Sequence, residues 1–132
     1  MTMISSIRLD GSTACMAIDG ATDTEVFRAY VRDVLCPTLR TGDIVIMDNL
    51  GPHKSEETLA ILAQAGATAL FLPAYSPDLN PIEKMWSKIK QSLRSLEART
   101  GESLVEAIAT ALQKVTAQDA AGWFTSCGYS FI

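Results

Sequence analysis

The spacing of apolar residues changes along the chain and predicts its strands and helices. Two short apolar runs, Met3 to Leu9 and Thr13 to Ile18, are separated and closed by Asp-Gly dipeptides. These dipeptides favour tight turns, so we predict an antiparallel hairpin. From Asp23 to Leu39 the apolar residues recur at helical spacing, which predicts a helix capped by Asp23 or Thr24.

The next apolar run predicts a buried strand over residues 43–48. It is rich in β-branched residues and bounded by glycines, as expected of a strand covered on both faces in a parallel sheet. A helix from Ser55 to Gln64, stopped by Gly66, and a strand at 68–72 should complete a parallel crossover. Binding sites in such sheets form beyond the carboxyl ends of the strands, where Asp48 and Asn49 are expected. Alternatively, these two residues only close the strand by bonding nearby N–H groups.

Three prolines between residues 73 and 81 predict a rigid, extended connection after the second strand. Asn80 is a suitable N-cap, and Pro81 suits the first helical position, where no N–H is needed. The helix that begins there carries Glu83 in its first turn. A carboxylate at this place also interacts favourably with the helix dipole, which is a purely structural explanation for it.

This helix is amphipathic. Its predicted core face consists of apolar residues spaced by four and three: Ile82, Trp86, Ile89, Leu93 and Leu96. A neighbouring stripe begins with a carboxylate and continues with hydroxyl and cationic groups: Glu83, Ser87, Lys90 and Arg94. This order is typical of a metal site that continues into a phosphate track, but it also suits a solvated face that complements the helix dipole. We expect Tyr75 and Trp86 to be packing residues rather than base-stacking ones, because Trp86 lies on the core stripe.

The remaining sequence predicts one more helix, from Ser103 to Val115, after a break at Gly101. The tail from Ala117 to Ile132 holds aromatic residues and should pack back on the body, because exposed aromatics form sticky patches. The predicted order is therefore β, β, α, β, α, β, α, α.

Composition indicates one globular domain, with 48% apolar residues in 132. The net charge of −4 does not by itself indicate a nucleic-acid partner. Five of the eleven basic residues, however, lie on the predicted helix after Pro81 and at its end: Lys84, Lys88, Lys90, Arg94 and Arg99. Three scattered cysteines favour neither a disulfide framework nor a zinc site, and no segment is apolar enough to span a bilayer. We expect a cytoplasmic protein with no membrane partner.

Two motifs resemble one family. Asp-Asn-x-x-x-His at 48–53 and Tyr-Ser-Pro-Asp-Leu-Asn-Pro-Ile-Glu at 75–83, with Trp86 beyond, are similar to the mariner-related bacterial insertion-sequence transposases of the DDE superfamily. Thirty-four residues separate Asp48 from Glu83, the interval that this branch uses between its second and third metal-binding carboxylates. The resemblance implies an α/β, ribonuclease H-like (retroviral integrase-like) mixed sheet flanked by helices. It also implies that residues 1–132 form a single partial catalytic domain whose first strand is missing.

The resemblance also implies the chemistry. Asp48 and Glu83 would be catalytic and would bind two Mg²⁺ (or Mn²⁺) ions for DNA cleavage and strand transfer by water or a DNA 3′-hydroxyl. His53, the one histidine, is either a surface residue or a phosphate or metal-water contact. The residues expected to bind DNA or support the site are Asn49, His53, Lys54, Asn80, Ser87, Lys90 and Arg94.

The family's first carboxylate lies upstream of the stretch matched here, so we expect a transposase fragment that is inactive alone. Its expected DNA partner is the double-stranded DNA of transposon ends, in the bacterial nucleoid. Its expected protein partner is an upstream transposase segment or a full-length transposase, and a homodimer is a further option. An alternative function is a non-catalytic DNA-binding or dimerising regulator derived from a transposase. A weaker one is an unrelated α/β phosphohydrolase that uses Asp48 as its acid and does not need Glu83.

Overall fold

The chain has a mixed α/β fold, seen in a computed structural model that describes residues 2–49, 51–96 and 101–129. Within those ranges it contains two two-stranded sheets and five α-helices. The elements are β1 (Thr2–Ile7), β2 (Thr13–Ile18), α1 (Thr24–Tyr30), β3 (Ile44–Met47), α2 (Glu56–Gln64), β4 (Thr68–Phe71), α3 (Pro81–Leu96), α4 (Gly101–Gln113) and α5 (Ala117–Ser126). No helix in these ranges has the length and apolar character that crossing a membrane requires.

The chain divides into two compact units. The first contains the residues up to Ser5 and Ala14–Pro77, and the second contains Ser6–Thr13 and the residues from Asp78 onwards. Each unit has its own hydrophobic core. The prediction that residues 1–132 act as one catalytic domain stays a prediction.

Strands β1 and β2 pair with each other, as the Asp-Gly signal predicted. Their connection is too short for a parallel pair, so the hairpin is antiparallel. At the turn, Asp10 Oδ1 accepts hydrogen bonds from the Ser12 N–H (2.9 Å) and hydroxyl (2.6 Å). Gly11, with φ of 90°, packs so closely on the start of α5 that an added Cβ would lie 2.8 Å from the Thr116 carbonyl carbon. Only glycine fits this turn without displacing the backbone.

Strands β3 and β4 run parallel through the α2 crossover, with Ile44 opposite Thr68 and Met47 opposite Phe71. One face of the pair packs on the first core: Val45, Met47, Ala69 and Phe71 contact the cluster built on α1 residues Phe27 and Tyr30. The other face is open, because Ile44 is 63% and Leu70 51% exposed. The prediction that β3 is covered on both faces is therefore wrong. The helices that flank the pair in the first unit cover one face only.

The predicted helix over residues 23–39 is helical nearly throughout but not as one α-helix. Asp23 caps it, since its Oδ1 accepts a hydrogen bond from the Val26 N–H at 2.8 Å. After α1 the chain forms a π-helical turn, Val31–Leu35, and a 3₁₀ turn, Cys36–Thr38. Pro37 has no N–H and cannot continue the α-helical hydrogen bonding, which accounts for the change near this end.

The second unit is helical, and its core lies between α3, α4 and α5. Met85 and Ile89 of α3 are buried together with Ala111 and Val115, and Trp86 and Trp123 pack at the edge. Trp86 is thus a packing residue, as predicted. Met85 was missed as a core residue, because it lies beside the predicted stripe rather than on it.

The predicted packing of the tail is confirmed for residues 117–129, while residues 130–132 lie outside the described part of the chain. The helix in this tail was not predicted. Thr116 and Asp119 form a capping box that starts α5. Ala120 and Cys127 are buried, and the Tyr129 hydroxyl donates a hydrogen bond to the Leu79 carbonyl at 2.8 Å. The Thr-x-x-Asp signal was present in the sequence, but the alanine-rich first turns after it carry little apolar periodicity.

Candidate functional site

Asp48 follows β3 directly, at the carboxyl end of the parallel pair. The Leu72 N–H donates to the Met47 carbonyl at 2.8 Å, so the ladder holds the chain up to the residue before Asp48. Asp48 is half-buried, its Oδ1 atom is shielded from solvent, and the residue takes part in a polar or electrostatic contact within the fold. A carboxylate oxygen removed from water favours a site that offers a cation or a strong donor.

The residues after Asp48 lead into a short 3₁₀ turn, Gly51–Lys54. Asn49 and Lys54 are exposed, so both amide and ammonium groups reach solvent beyond β3. The backbone of His53 lies in this turn, and its side chain lies outside the described part of the chain. The first unit therefore brings Asp48, Asn49 and Lys54 to the same end of the parallel pair.

Glu83 lies in the first turn of α3, in the second unit, and is exposed. The predicted cap of this helix is confirmed, because the Asn80 side-chain oxygen accepts a hydrogen bond from the Ile82 N–H at 3.3 Å. The Glu83 N–H in turn donates to the Asn80 carbonyl at 3.1 Å. The cap fixes the helix start, and with it the point from which the Glu83 carboxylate extends.

The stripe that begins with Glu83 lies entirely on the surface. Ser87, Lys90 and Arg94 are exposed like Glu83, while the opposite side of α3 is buried. A continuous exposed row that begins with a carboxylate and ends with two cations extends along α3. The side chain of Leu96 and all of Arg99 lie outside the described residues.

Lys88 does not belong to this exposed row. Its ammonium group pairs with the carboxylate of Asp119, in the capping box of α5. Hydrogen bonding from Lys88 first, and then from the Thr116 N–H, lowers the pKa of Asp119. The pair joins α5 to the helix that carries Glu83, and the positive charge of Lys88 is directed toward α5.

Tyr75 corrects a prediction. It was expected to pack, but its side chain is fully exposed, at 101%. Its backbone has a φ of 59°, which makes it the one non-glycine residue with a positive φ in the described ranges. The signal available in the sequence was its place in a proline-flanked turn, which does not by itself show where a side chain points.

Metal-binding groups of three or more His, Cys, Asp or Glu side chains are absent from the described residues. Asp48 belongs to the first unit and Glu83 to the second, and each is described within its own unit. Their oxygen donors suit Mg²⁺, which takes one or two carboxylates from a protein and completes its shell with waters and substrate phosphates.

The fold and the strand-end carboxylate agree with the comparison to known families. Residues 1–105 match the family model of the DDE superfamily endonucleases, and this stretch contains Asp48, the Tyr75–Glu83 motif and all of α3. The chain belongs to this family, and the predicted membership of the DDE superfamily is confirmed. No curated protein matches the chain.

Proposed function

We propose that the chain is the carboxyl-terminal part of a transposase catalytic domain of the mariner-related bacterial insertion-sequence group, acting in metal-dependent DNA cleavage and strand transfer. The observation that carries this proposal is the position of Asp48, which leaves the carboxyl end of the parallel β3–β4 pair in a chain of the DDE superfamily endonuclease family. Such strand ends are where catalytic groups collect in α/β folds.

In this proposal Asp48 and Glu83 are two of the metal-binding carboxylates. Bound Mg²⁺ or Mn²⁺ would activate the attacking oxygen and stabilise the leaving oxygen at a phosphodiester. The protein contributes the positions of its ligands. The β3 ladder holds the chain up to Met47, the residue before Asp48, and the Asn80 cap holds the helical turn that carries Glu83. Asn49 and the His53 turn extend the same strand end and would support the site.

The exposed row on α3 would follow the DNA backbone away from the scissile phosphate. Ser87 can donate a hydrogen bond to a phosphate oxygen, and Lys90 and Arg94 can neutralise phosphate charge. Each neutralised phosphate should make the slope of log affinity against log salt concentration more negative by about 0.9. Lys54, at the end of β3, would be a further phosphate contact. The net charge of −4 makes such local placement of cations necessary.

The remaining carboxylate of the site, which is the family's first, would come from an upstream segment, in the same polypeptide or in another. The open face of β3 and β4 supports an assembly of this kind, because Ile44 and Leu70 are exposed. Within the described residues β3 has one partner strand, β4, so its other edge offers backbone groups for an added strand. With that strand the mixed α/β fold would take the proposed ribonuclease H-like arrangement.

DNA nicking in the presence of the upstream segment tests the proposal. The 132-residue chain and the upstream segment, supplied in trans, are mixed with DNA carrying the transposon ends and with Mg²⁺ or Mn²⁺. We expect nicking that is lost by at least about a hundredfold in Asp48→Asn and in Glu83→Gln. Glu106→Gln, an exposed carboxylate on α4, is the matched control and should keep wild-type activity.

Nicking that survives in Glu83→Gln would instead favour the α/β phosphohydrolase, particularly if small phosphate esters are hydrolysed. The exposed Ile44 and Leu70 also suit a second function, a regulator that binds a full-length transposase without catalysis. That function predicts inhibition of full-length transposase by the wild-type chain and equal inhibition by Asp48→Asn.

A further inference from the structure

Tyr75 combines full exposure with a strained backbone. Its side chain is 101% exposed, and its φ of 59° lies in the left-handed region that favours glycine or asparagine. The residue occupies a turn, where Gly or Asn would satisfy the conformation without strain. An exposed tyrosine contributes little to the core of its unit, so packing does not explain a tyrosine here. Strain of this kind is retained mainly where the side chain has a role.

The turn presents the ring from a stiff support. Pro73 and Pro77 flank Tyr75 on either side, and a 3₁₀ turn, Pro77–Leu79, follows. Proline fixes φ and restricts the residue before it, so this connection loses little conformational freedom when a ligand binds. Tyrosine itself has only two side-chain torsions to order, which makes it an efficient contact residue.

The turn also lies at the carboxyl end of the β3–β4 pair, the end at which Asp48 lies. Tyr75 follows β4, and Asp48 and Lys54 follow β3, at the carboxyl ends of two parallel neighbours in the same unit. An aromatic ring and an exposed ammonium group therefore lie at the same end of the sheet. Together they are the two components of a binding surface for unpaired nucleic acid. A peptide partner could also use the ring, but it would not need a cation and a carboxylate at the same edge.

We propose that the Tyr75 ring stacks on an unpaired DNA base beside the phosphodiester that is cleaved. The inference rests on the proposed function, because it assumes that DNA reaches the carboxyl end of β3. The π-face of a phenol ring accepts any base, so the contact would hold the opened DNA end in place without reading its sequence. Tyr75 is therefore assigned as a positioning residue, and Asp48 keeps its proposed catalytic role.

The experiment measures the affinity of the full chain, with the upstream segment present, for two DNAs by fluorescence anisotropy. One is a blunt duplex and the other carries an unpaired 3′ overhang. Tyr75→Ala should weaken binding of the overhang DNA about 5- to 100-fold and leave the blunt duplex unchanged. Tyr75→Phe keeps the ring and should bind like wild type. Photo-cross-linking to 5-iododeoxyuridine in the overhang should label Tyr75.

A stability measurement separates a functional role from a structural one. Tyr75→Asn should raise the melting temperature by about 2 to 4 °C, because Asn tolerates the left-handed conformation, and should lose overhang binding as Tyr75→Ala does. Lys90→Gln, on the α3 row, tests the proposed function separately. It should weaken the binding of both DNAs.

The stacking role would be overturned if Tyr75→Ala binds each DNA as tightly as wild type does. If Lys90→Gln still weakens binding in that case, the proposed function stands. Equal losses on both DNAs in Tyr75→Ala would overturn the stacking role too. If the wild-type assembly binds neither DNA, the stacking role and the proposed function fail together.

Discussion

The contact between Lys88, on the helix that carries Glu83, and Asp119 predicts how much Asp119→Ala lowers the free energy of unfolding. Asp119→Ala removes the carboxylate that accepts the Thr116 N–H (3.1 Å) in the capping box of α5 and that pairs with Lys88. Losing half of a capping box costs about 1 kcal/mol. The ion pair is partly exposed, at 38% for the Lys88 side chain and 29% for Asp119, so it adds about 0.2 to 1 kcal/mol. The free energy of unfolding should fall by about 1 to 2 kcal/mol.

Urea unfolding followed by circular dichroism measures this change, and a thermal scan should show a melting temperature about 4 to 7 °C lower. A double-mutant cycle with Lys88→Met isolates the ion pair and should return a coupling energy of about 0.2 to 1 kcal/mol. Strictly additive effects of the two substitutions would refute the contact, and an unchanged unfolding midpoint in Asp119→Ala would refute the capping role as well.

The same residue predicts a pH dependence. The pKa of Asp119 is lowered in the folded chain, by Lys88 first. Its contribution to stability should therefore be fully present above the ordinary aspartate pKa of about 3.9 and should disappear as the pH falls through the lower, folded-state value. The difference between wild type and Asp119→Asn should stay constant from about pH 5 to 8 and shrink below about pH 4. A difference that grows on acidification would contradict the assignment.

Further substitutions test the fold and the proposed assembly. Met85→Ala, in the second core, should lower the free energy of unfolding by about 2 to 5 kcal/mol. The control, Ser87→Ala at an exposed position on the same helix, should change it by less than about 0.5 kcal/mol. Equal effects of the two substitutions in urea unfolding would contradict the burial of Met85. Gly11→Ala should cost about 2 kcal/mol or more, because its Cβ meets the Thr116 backbone, and a neutral result in the same assay would argue against that approach. Ile44→Lys should leave the melting temperature of the chain nearly unchanged but weaken pull-down of the upstream segment, and undiminished capture would remove the open β3–β4 face from the proposed assembly.

Local chemistry made much of the fold predictable. The Asp10-Gly11 pair set the hairpin turn, Asp23 and Asn80 capped their helices, and the short apolar runs on either side of α2 gave the parallel pair. In each case the signal and the structure it specifies lie within a few residues of each other, so no distant contact was needed to read it.

Features that depend on distant contacts were not predictable. The apolar run of β3 gave no sign that one face stays open, because that depends on which elements pack against it, and Ile44 is exposed for this reason. Proline spacing indicated a stiff turn around Tyr75 but not the direction of its ring. Motif spacing identified Asp48 and Glu83 as a candidate pair, and the structure places one at a strand end and the other in a helical first turn.

The central claim is that Asp48 and Glu83 bind the same divalent ions, and iron-mediated cleavage of the polypeptide tests it most directly. Fe²⁺ bound in place of Mg²⁺ generates hydroxyl radicals with ascorbate and peroxide, and these cut the backbone beside the metal ligands. The assembly with the upstream segment should be cut near residues 48 and 83 together. Excess Mg²⁺, Asp48→Asn or Glu83→Gln should each abolish both cuts, whereas Glu106→Gln should not. Cleavage at only one of the two positions, or cuts that persist in both variants, would contradict the account.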